Sequence, residues 1–283
     1  MTRRGRGAVA AVIVAVAASA CASAVLRPPR GPWAPDPAGA PAFEAAAAAC
    51  LGARTMTAEI AISGRAGASR LRGRVLAGFE RPGRIRLEGV APFGAPVFIL
   101  AGRDNRATLL LPRDRRVLAD AAVDDVLEAL TGIRRGADDL AAMLGGCLVS
   151  RPVAGAIQRN PQGWWSVAIG DGLSAFLRRD GAAWRLVAGE RVADGTGARS
   201  WVVHYGEFVS AFPSLVRLQE GAAPEDAGRA RIDLTLRVSQ RDVNVPVDAS
   251  AFDVKVPPDA APIGLDELRQ MGPLAERDGG RSR

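Results

Sequence analysis

The dominant signal in the chain is an alternation of apolar and polar residues that begins near residue 56 and, after one interruption, continues to residue 239. Over 56–62, Met56, Ala58, Ile60 and Ile62 share one side, with Thr57 and Glu59 on the other. Over 70–79, Leu71, Gly73, Val75, Ala77 and Phe79 oppose Arg70, Arg72 and Arg74, and Ile85 and Leu87 then alternate with Arg84, Arg86 and Glu88. A period of two with one wet and one dry side is the pattern of antiparallel strands on a half-buried sheet. Residues 64–67, bounded by glycines, and Arg81-Pro82-Gly83 supply turn chemistry between these strands. Further strands are predicted at 97–101, 106–111, 164–169, 173–178, 184–187, 200–208, 215–219 and 229–239. In the last, Ile232, Leu234, Leu236 and Val238 face Arg231, Asp233, Thr235 and Arg237.

The interruptions are helical. Residues 40–51 are Ala-rich and end at Gly52, a helix closed by a glycine. Val123, Val126, Leu127 and Leu130 recur at i, i+3, i+4 and i+7 opposite Asp124, Asp125 and Glu128, and Thr131-Gly132 ends the helix. A second helix opens at Asp138-Asp139, whose carboxylates suit the N-terminal dipole; it buries Leu140, Met143 and Leu144 and stops at Gly145-Gly146. Adjacent helix residues do not face each other, so both Asp pairs predict solvated helix starts and no acid–base pair. A last helix over 265–271 precedes a polar tail, 273–283, predicted to be disordered. Helix, strands, two helices and strands again predict the α+β class: a strongly curved antiparallel sheet with short helices covering its concave face.

The N-terminus follows other rules. Arg3, Arg4 and Arg6 precede an apolar run over 8–18, and Ser19 and Ala20 lead into Cys21. This is the layout of a secretory signal peptide over 1–20, and the run is shorter than the ~20 apolar residues a membrane span needs. Ala18-Ser19-Ala20-Cys21 resembles the lipobox of bacterial lipoproteins, with Ala18 where Leu is usual, which implies a lipid anchor on Cys21. The alternative is ordinary cleavage after Ala20 or Ala24 and a soluble product. One acyl chain anchors only marginally, at ~0.8 kcal/mol per buried CH₂, so stable attachment takes more than one. Ala22 follows the Cys where Asp would signal inner-membrane retention in enterobacteria, which implies the outer membrane, with the domain facing the periplasm. Pro28, Pro29, Pro32, Pro35, Pro37 and Pro41 predict an extended, semi-stiff tether over 21–41. One domain over 42–272 remains, long enough for a real core.

The formal charge of +7 raises a nucleic-acid reading and then removes it. Without Arg3, Arg4 and Arg6, 34 basic residues stand against 30 acidic ones. They are spread along the chain, and export places the protein away from DNA. With Cys21 acylated, Cys50 and Cys147 remain, each at the C-terminal end of a predicted helix. An even pair in an oxidising compartment predicts a disulfide; the alternative is two buried thiols. Enzymatic chemistry finds no foothold. The one histidine, His204, sits in a strand and reads as structural. No G-x-S-x-G, phosphate loop, G-x-G-x-x-G or Cys/His cluster with metal spacing occurs. The expectation is a protein that is not an enzyme and needs no cofactor or metal.

One series of motifs is more specific. Arg86-Leu87-Glu88 is followed by Ala91-Pro92-Phe93-Gly94, by strands through Leu111, by Ala129-Leu130-Thr131-Gly132, and by a short helix ending Leu144-Gly145-Gly146. Together with Ser200-Trp201-Val202-Val203-His204-Tyr205-Gly206 and the strands over 213–238, this resembles the outer-membrane lipoprotein receptor family LolB. Beyond them, Val245-Pro246-Val247-Asp248, Ala251-Phe252 and Pro257-Pro258 resemble the C-terminal end of the related periplasmic carrier LolA. The chain lacks the family's Trp-rich second helix.

That resemblance implies an incomplete β-barrel curved around an apolar cavity, with helices as a lid. It implies reception of acylated lipoproteins and their insertion into the outer membrane. The implied partners are membrane lipid, acylated lipoproteins and a periplasmic lipoprotein carrier, with no nucleic acid, and the protein is expected to be a monomer. An acyl chain of ~14 methylenes costs on the order of 11 kcal/mol to expose, so a cavity must bury comparable area. The dry strand faces, Ile60, Ile62, Val75, Phe79, Leu87, Ile99, Ile232 and Leu234, are the expected lining; ordinary core packing is the alternative for each. Phe93 stands where the family places a membrane-inserting loop residue, and a ring suits the bilayer interface. Its alternative is a core plug beneath the sheet. Two other functions share the fold: an envelope accessory or sensor lipoprotein binding a lipid or protein, and a structural lipoprotein with a filled core.

Overall fold

The computed structural model describes residues 25–91, 93–152, 154–170, 172–192, 200–221, 232–272 and 274. The predicted signal peptide, Cys21, Pro92, residues 229–231 of the last predicted strand, and the tail other than Leu274 lie outside them. The chain opens with β1 (Ala34–Pro35) and α1 (Ala40–Leu51). The long strands β2 (Thr55–Ala66), β3 (Ser69–Glu80) and β4 (Arg84–Val90) follow, then β5 (Ile99–Arg103), β6 (Arg106–Leu111) and β7 (Arg116–Ala122). Helices α2 (Val123–Thr131) and α3 (Ala137–Gly145) intervene. The second run comprises β8 (Ile157–Arg159), β9 (Trp165–Ala168), β10 (Leu173–Asp180), β11 (Ala183–Arg191), β12 (Trp201–Val209), β13 (Phe212–Glu220) and β14 (Ile232–Val243). The two-residue β15 (Ala261–Pro262) and α4 (Leu265–Met271) close the described chain.

All these strands form one sheet, in the order β1-β8-β9-β10-β11-β12-β13-β14-β2-β3-β4-β5-β6-β7-β15. Its centre is the junction where β14 pairs with β2, with Leu236 opposite Ile62 and Val238 opposite Ile60. Every pairing is antiparallel except β15 on β7. Among the described residues the two ends of the sheet do not pair, so the barrel is incomplete. Its curvature shows in α3, which touches β3, β4 and, three strands away from β3, β13.

The alternation decides which side is filled. Met56, Ala58 and Ile60 of β2, Leu71, Val75, Ala77 and Phe79 of β3, and Ile85 and Leu87 of β4 are buried on the concave side. Arg70, Arg72 and Arg74 stand outside as predicted. The helices fill the concavity. In α2 the buried residues are Val123, Val126, Leu127 and Leu130, the predicted stripe, and Gly132 closes it in the left-handed conformation (φ 79°). Gly52 closes α1 as predicted, with a right-handed φ of −78° and its N–H donating to the Ala48 oxygen (2.9 Å).

Several expectations need correction. Gly64 is not in a turn: β2 runs to Ala66, and Gly64 pairs with both Leu234 and Leu71. Its φ of +143° and a Cβ that would lie 2.0 Å from the Asp233 oxygen make glycine necessary there, and only the neighbouring strand reveals this. Strand β7 buries the adjacent Val117 and Leu118 instead of alternating, and β8 has only three residues, so neither registers in the sequence. The predicted tether is also part of the fold from residue 25 onward. β1 pairs with β8, the Asn160 side-chain amide donates to the Pro32 oxygen (3.0 Å), and the Trp33 ring lies 5.8 Å from Phe176. This segment covers a second apolar cluster of Trp164, Phe176, Val187 and Ala188 outside the main core. At the other end, the domain includes Leu274, within the stretch predicted as tail.

Candidate functional site

The apolar space predicted for a ligand lies between the sheet centre and the helices α2 and α3. Its sheet wall is Ile60, Ile62, Leu71, Val75, Leu87, Leu234 and Leu236. Its helical wall is Leu127 and Leu130 of α2, Ile133 of the 132–136 linker, and Leu140, Met143 and Leu144 of α3; Phe98 and Leu274 complete it. Among the described residues, Thr131 and Arg135 are its polar lining. The open space is about 60 Å³. That holds a few water-sized groups and is far too small for an acyl chain, so the helices lie on a nearly filled core.

Five of the eight expected lining residues reach this space: Ile60, Ile62, Val75, Leu87 and Leu234. Phe79 and Ile232 are buried on the same side without lining it. Phe79 instead lines the region beside Cys50, and Ile232 packs near Gly132. Ile99 is on the wrong side of the sheet. Leu87 pairs with Leu100, which is fully buried, and this sets Ile99 opposite Glu88 on the outer face. Alternation within a five-residue strand cannot tell the two faces apart when both carry apolar residues; the register with β4 does.

The two lid helices are held differently. Cys50 of α1 and Cys147, just beyond α3, form the predicted disulfide, with Cα atoms 6.0 Å apart. Asp138 and Asp139, expected to be solvated, are tied down. The Gly83 N–H donates to Asp138 (2.9 Å), and Ser150 donates to Asp139 from its backbone (2.9 Å) and its hydroxyl (2.7 Å). Arg241 of β14 donates to the oxygens of Leu144 (3.4 Å) and Pro213 (2.7 Å), and burial lowers its pKa to about 10. Leu148 enters a notch at Gly189, where a Cβ would lie 2.3 Å from its Cδ2. By contrast, the acids of α2, Asp124, Asp125 and Glu128, pair with Arg134 in the adjoining linker.

The linker marks one end of the cavity. A Cβ on Gly132 would lie 3.3 Å from that of Ala66, the last residue of β2. Strand alternation puts the β4–β5 loop, with Phe93, at the same end of the sheet, since β2 and β4 run in the same direction. Phe93 is 88% exposed, so the core-plug alternative is excluded. Arg113 holds its loop by donating to the oxygens of Phe93 (2.7 Å) and Ala95 (3.0 Å).

His204 lies away from this space, buried beneath the N-terminal segment. Its Nδ1 is 3.1 Å from the Leu26 oxygen, which can only accept, so Nδ1 carries the proton. Burial holds its pKa below the ordinary value, against an upward pull from that hydrogen bond, with Arg27 and Arg217 adding to the lowering.

Sequence reasoning missed Arg135, Arg241 and Leu274 as parts of the site. Nothing local sets these residues apart from their neighbours, because their positions depend on distant strands.

No family model matches the chain, and no curated protein matches it. Solved structures do show similarity. A DUF1329 family protein from Desulfovibrio piger is 11% identical with a TM-score of 0.42, over 75% of this chain and 96% of that one. LprF from Mycobacterium bovis is 13% identical with a TM-score of 0.34, over 80% of this chain and 99% of that one. MucB is 12% identical with a TM-score of 0.33; 78% of this chain spans 65% of MucB.

Proposed function

We propose that the protein is an outer-membrane lipoprotein, anchored through Cys21, that binds acyl chains beneath its helical lid and delivers them toward a bilayer at its Phe93 end. In this reading it is a binding protein and not an enzyme, and it takes part in receiving acylated lipoproteins, with membrane lipid and a periplasmic carrier as partners. The carrying observation is the contiguous apolar lining between sheet and lid. The exposed Phe93 at the linker end of the same sheet supports the direction of delivery. Its motif neighbours supply the link to lipoprotein reception. Ligand uptake requires α2 or α3 to move outward, because the closed space is about 60 Å³.

That small volume favours a second reading, a structural lipoprotein whose core is complete without ligand. The two separate on one measurement. Purified protein is titrated with an apolar dye, and lipids co-purifying with it are identified by mass spectrometry. Saturable dye binding displaced by a long-chain lipid supports the first reading. No binding at micromolar concentration, with no lipid recovered, supports the second. Depletion of the protein should mislocalise lipoproteins only if the receptor role is right.

A further inference from the structure

The linker between α2 and α3 carries two adjacent arginines with different surroundings. Arg134 is paired with Asp124, Asp125 and Glu128. Arg135 turns inward. Its guanidinium carbon lies 4.5 Å from the centre of the Trp201 ring, and among the described residues it forms no ion pair. It lines the apolar space on one side and, on the other, an open recess of about 310 Å³. A single side chain thus stands between a dry compartment and a wet one.

The recess is polar where the inner space is not. Arg134, Arg135 and Arg191 line it with Glu128 and Glu220, and Trp201 forms part of its floor. Glu128 is already paired with Arg134. Arg135 is half-buried, and desolvation holds its pKa below the ordinary value; Asp139, Tyr205 and Glu220 act to raise it and Arg191 to lower it. The Tyr205 hydroxyl, on a side chain only 1% exposed, satisfies no hydrogen-bond geometry, although it approaches the Leu148 backbone and lies within electrostatic range of Arg135. Stacked on one ring and in no ion pair among the described residues, the half-buried guanidinium keeps N–H donors facing the recess. Its planar fork matches the oxygens of a phosphate or carboxylate.

We propose that Arg135 is a head-group subsite and that the ligand is an acyl amphiphile with an anionic head. The head, a phosphate or carboxylate, sits in the recess on Arg135, and the chain passes Ile133 into the apolar space beneath the lid. This rests on the acyl-binding reading and adds the charge of the ligand to it.

The test uses the mature protein and three ligands of equal chain length: a lysophosphatidic acid, a fatty acid and an uncharged monoacylglycerol, each measured by dye displacement. Inorganic phosphate is the fourth arm. The wild type should bind at least one anionic ligand about tenfold more tightly than the neutral one, the margin expected of charged hydrogen bonds. Arg135→Gln should abolish that preference, whereas Arg74→Gln, on the outer face of the sheet where Arg74 pairs with Glu59, should keep it. Unchanged melting temperatures confirm that both variants fold. Equal wild-type affinity for charged and neutral ligands overturns the subsite, as does a preference that survives Arg135→Gln. Inorganic phosphate binding as tightly as the lysophosphatidic acid overturns the amphiphile in favour of a free-anion site. Failure of all three acyl ligands to bind overturns the acyl-binding reading itself, and the subsite with it.

Discussion

Helices α2 and α3 are each nine residues long, carry two aspartates in the first turn and press apolar side chains into the same space, yet they are attached by different physics. Outside its apolar contacts, α3 is fixed by directional bonds to other parts of the chain: the disulfide at Cys147, the Asp138 and Asp139 hydrogen bonds, and Arg241 at the Leu144 carbonyl. Helix α2 keeps its acids on Arg134 in the adjoining linker and meets the sheet through Val123, Val126, Leu127 and Leu130. Apolar contact is non-directional and tolerates sliding, while hydrogen bonds and disulfides specify one geometry. The difference makes α3 the more directionally fixed of the two walls, while α2 is held by apolar packing on the sheet and α4 and by a backbone hydrogen bond from Val123 to Asn105 (3.2 Å).

The largest effect should come from the disulfide. Replacing Cys50 and Cys147 together by Ala should cost about 2–5 kcal/mol in urea unfolding, as expected for a long loop closed by one bridge. A loss under about 1 kcal/mol would remove the main distinction between the helices. Arg241→Met should cost about 1–3 kcal/mol, because the Leu144 and Pro213 oxygens lose a charged donor. Arg134→Met, which breaks three ion pairs that are local to α2 and its linker, should leave the unfolding midpoint unchanged; a comparable loss in both variants would erase the contrast.

Acid sharpens the comparison by acting elsewhere. His204 is buried neutral with a lowered pKa, so the unfolded chain binds its proton more readily. Its contribution is fully present above the unfolded value of about 6.5 and is lost as pH falls through the lower folded value. Hydrogen exchange should show residues 25–35 opening in that window while α2 and α3 stay protected, and His204→Asn should flatten the dependence. Simultaneous opening of all three would mean that the outer segment and the lid are one cooperative unit. The smallest stability effect belongs to Phe93→Glu, within about 0.5 kcal/mol because the side chain is exposed. The same variant should bind acyl ligand normally and fail to transfer it to liposomes; unimpaired transfer would sink the delivery role.

Much of this fold was legible in the sequence because it rests on local periodicity. The stripes of β2, β3 and β14 fall where the burial does, and the bounds of α1 and α4 match the pattern because glycine closes one and the Leu265–Met271 run defines the other. The candidate site was legible only in part. Ile60, Ile62, Val75, Leu87 and Leu234 follow from long, unambiguous alternation, and Ile99 failed where the strand was short.

By itself, then, the sequence determined which residues are apolar, which period they follow and where a turn or a cysteine stands, all properties of near neighbours along the chain. Register, and with it the inward face of β5, was decided by pairing across strands. So was the need for glycine at Gly64, whose would-be Cβ meets Asp233 on β14. Tertiary structure also gave Asp138 and Asp139 their partners, laid residues 25–35 across an apolar cluster and brought Leu274 into the cavity. It separated Arg134 from Arg135, identical neighbours in the chain, by turning one to the acids of α2 and the other onto Trp201. Side-chain direction at a linker is set by what lies opposite it in space, and composition carries no record of that.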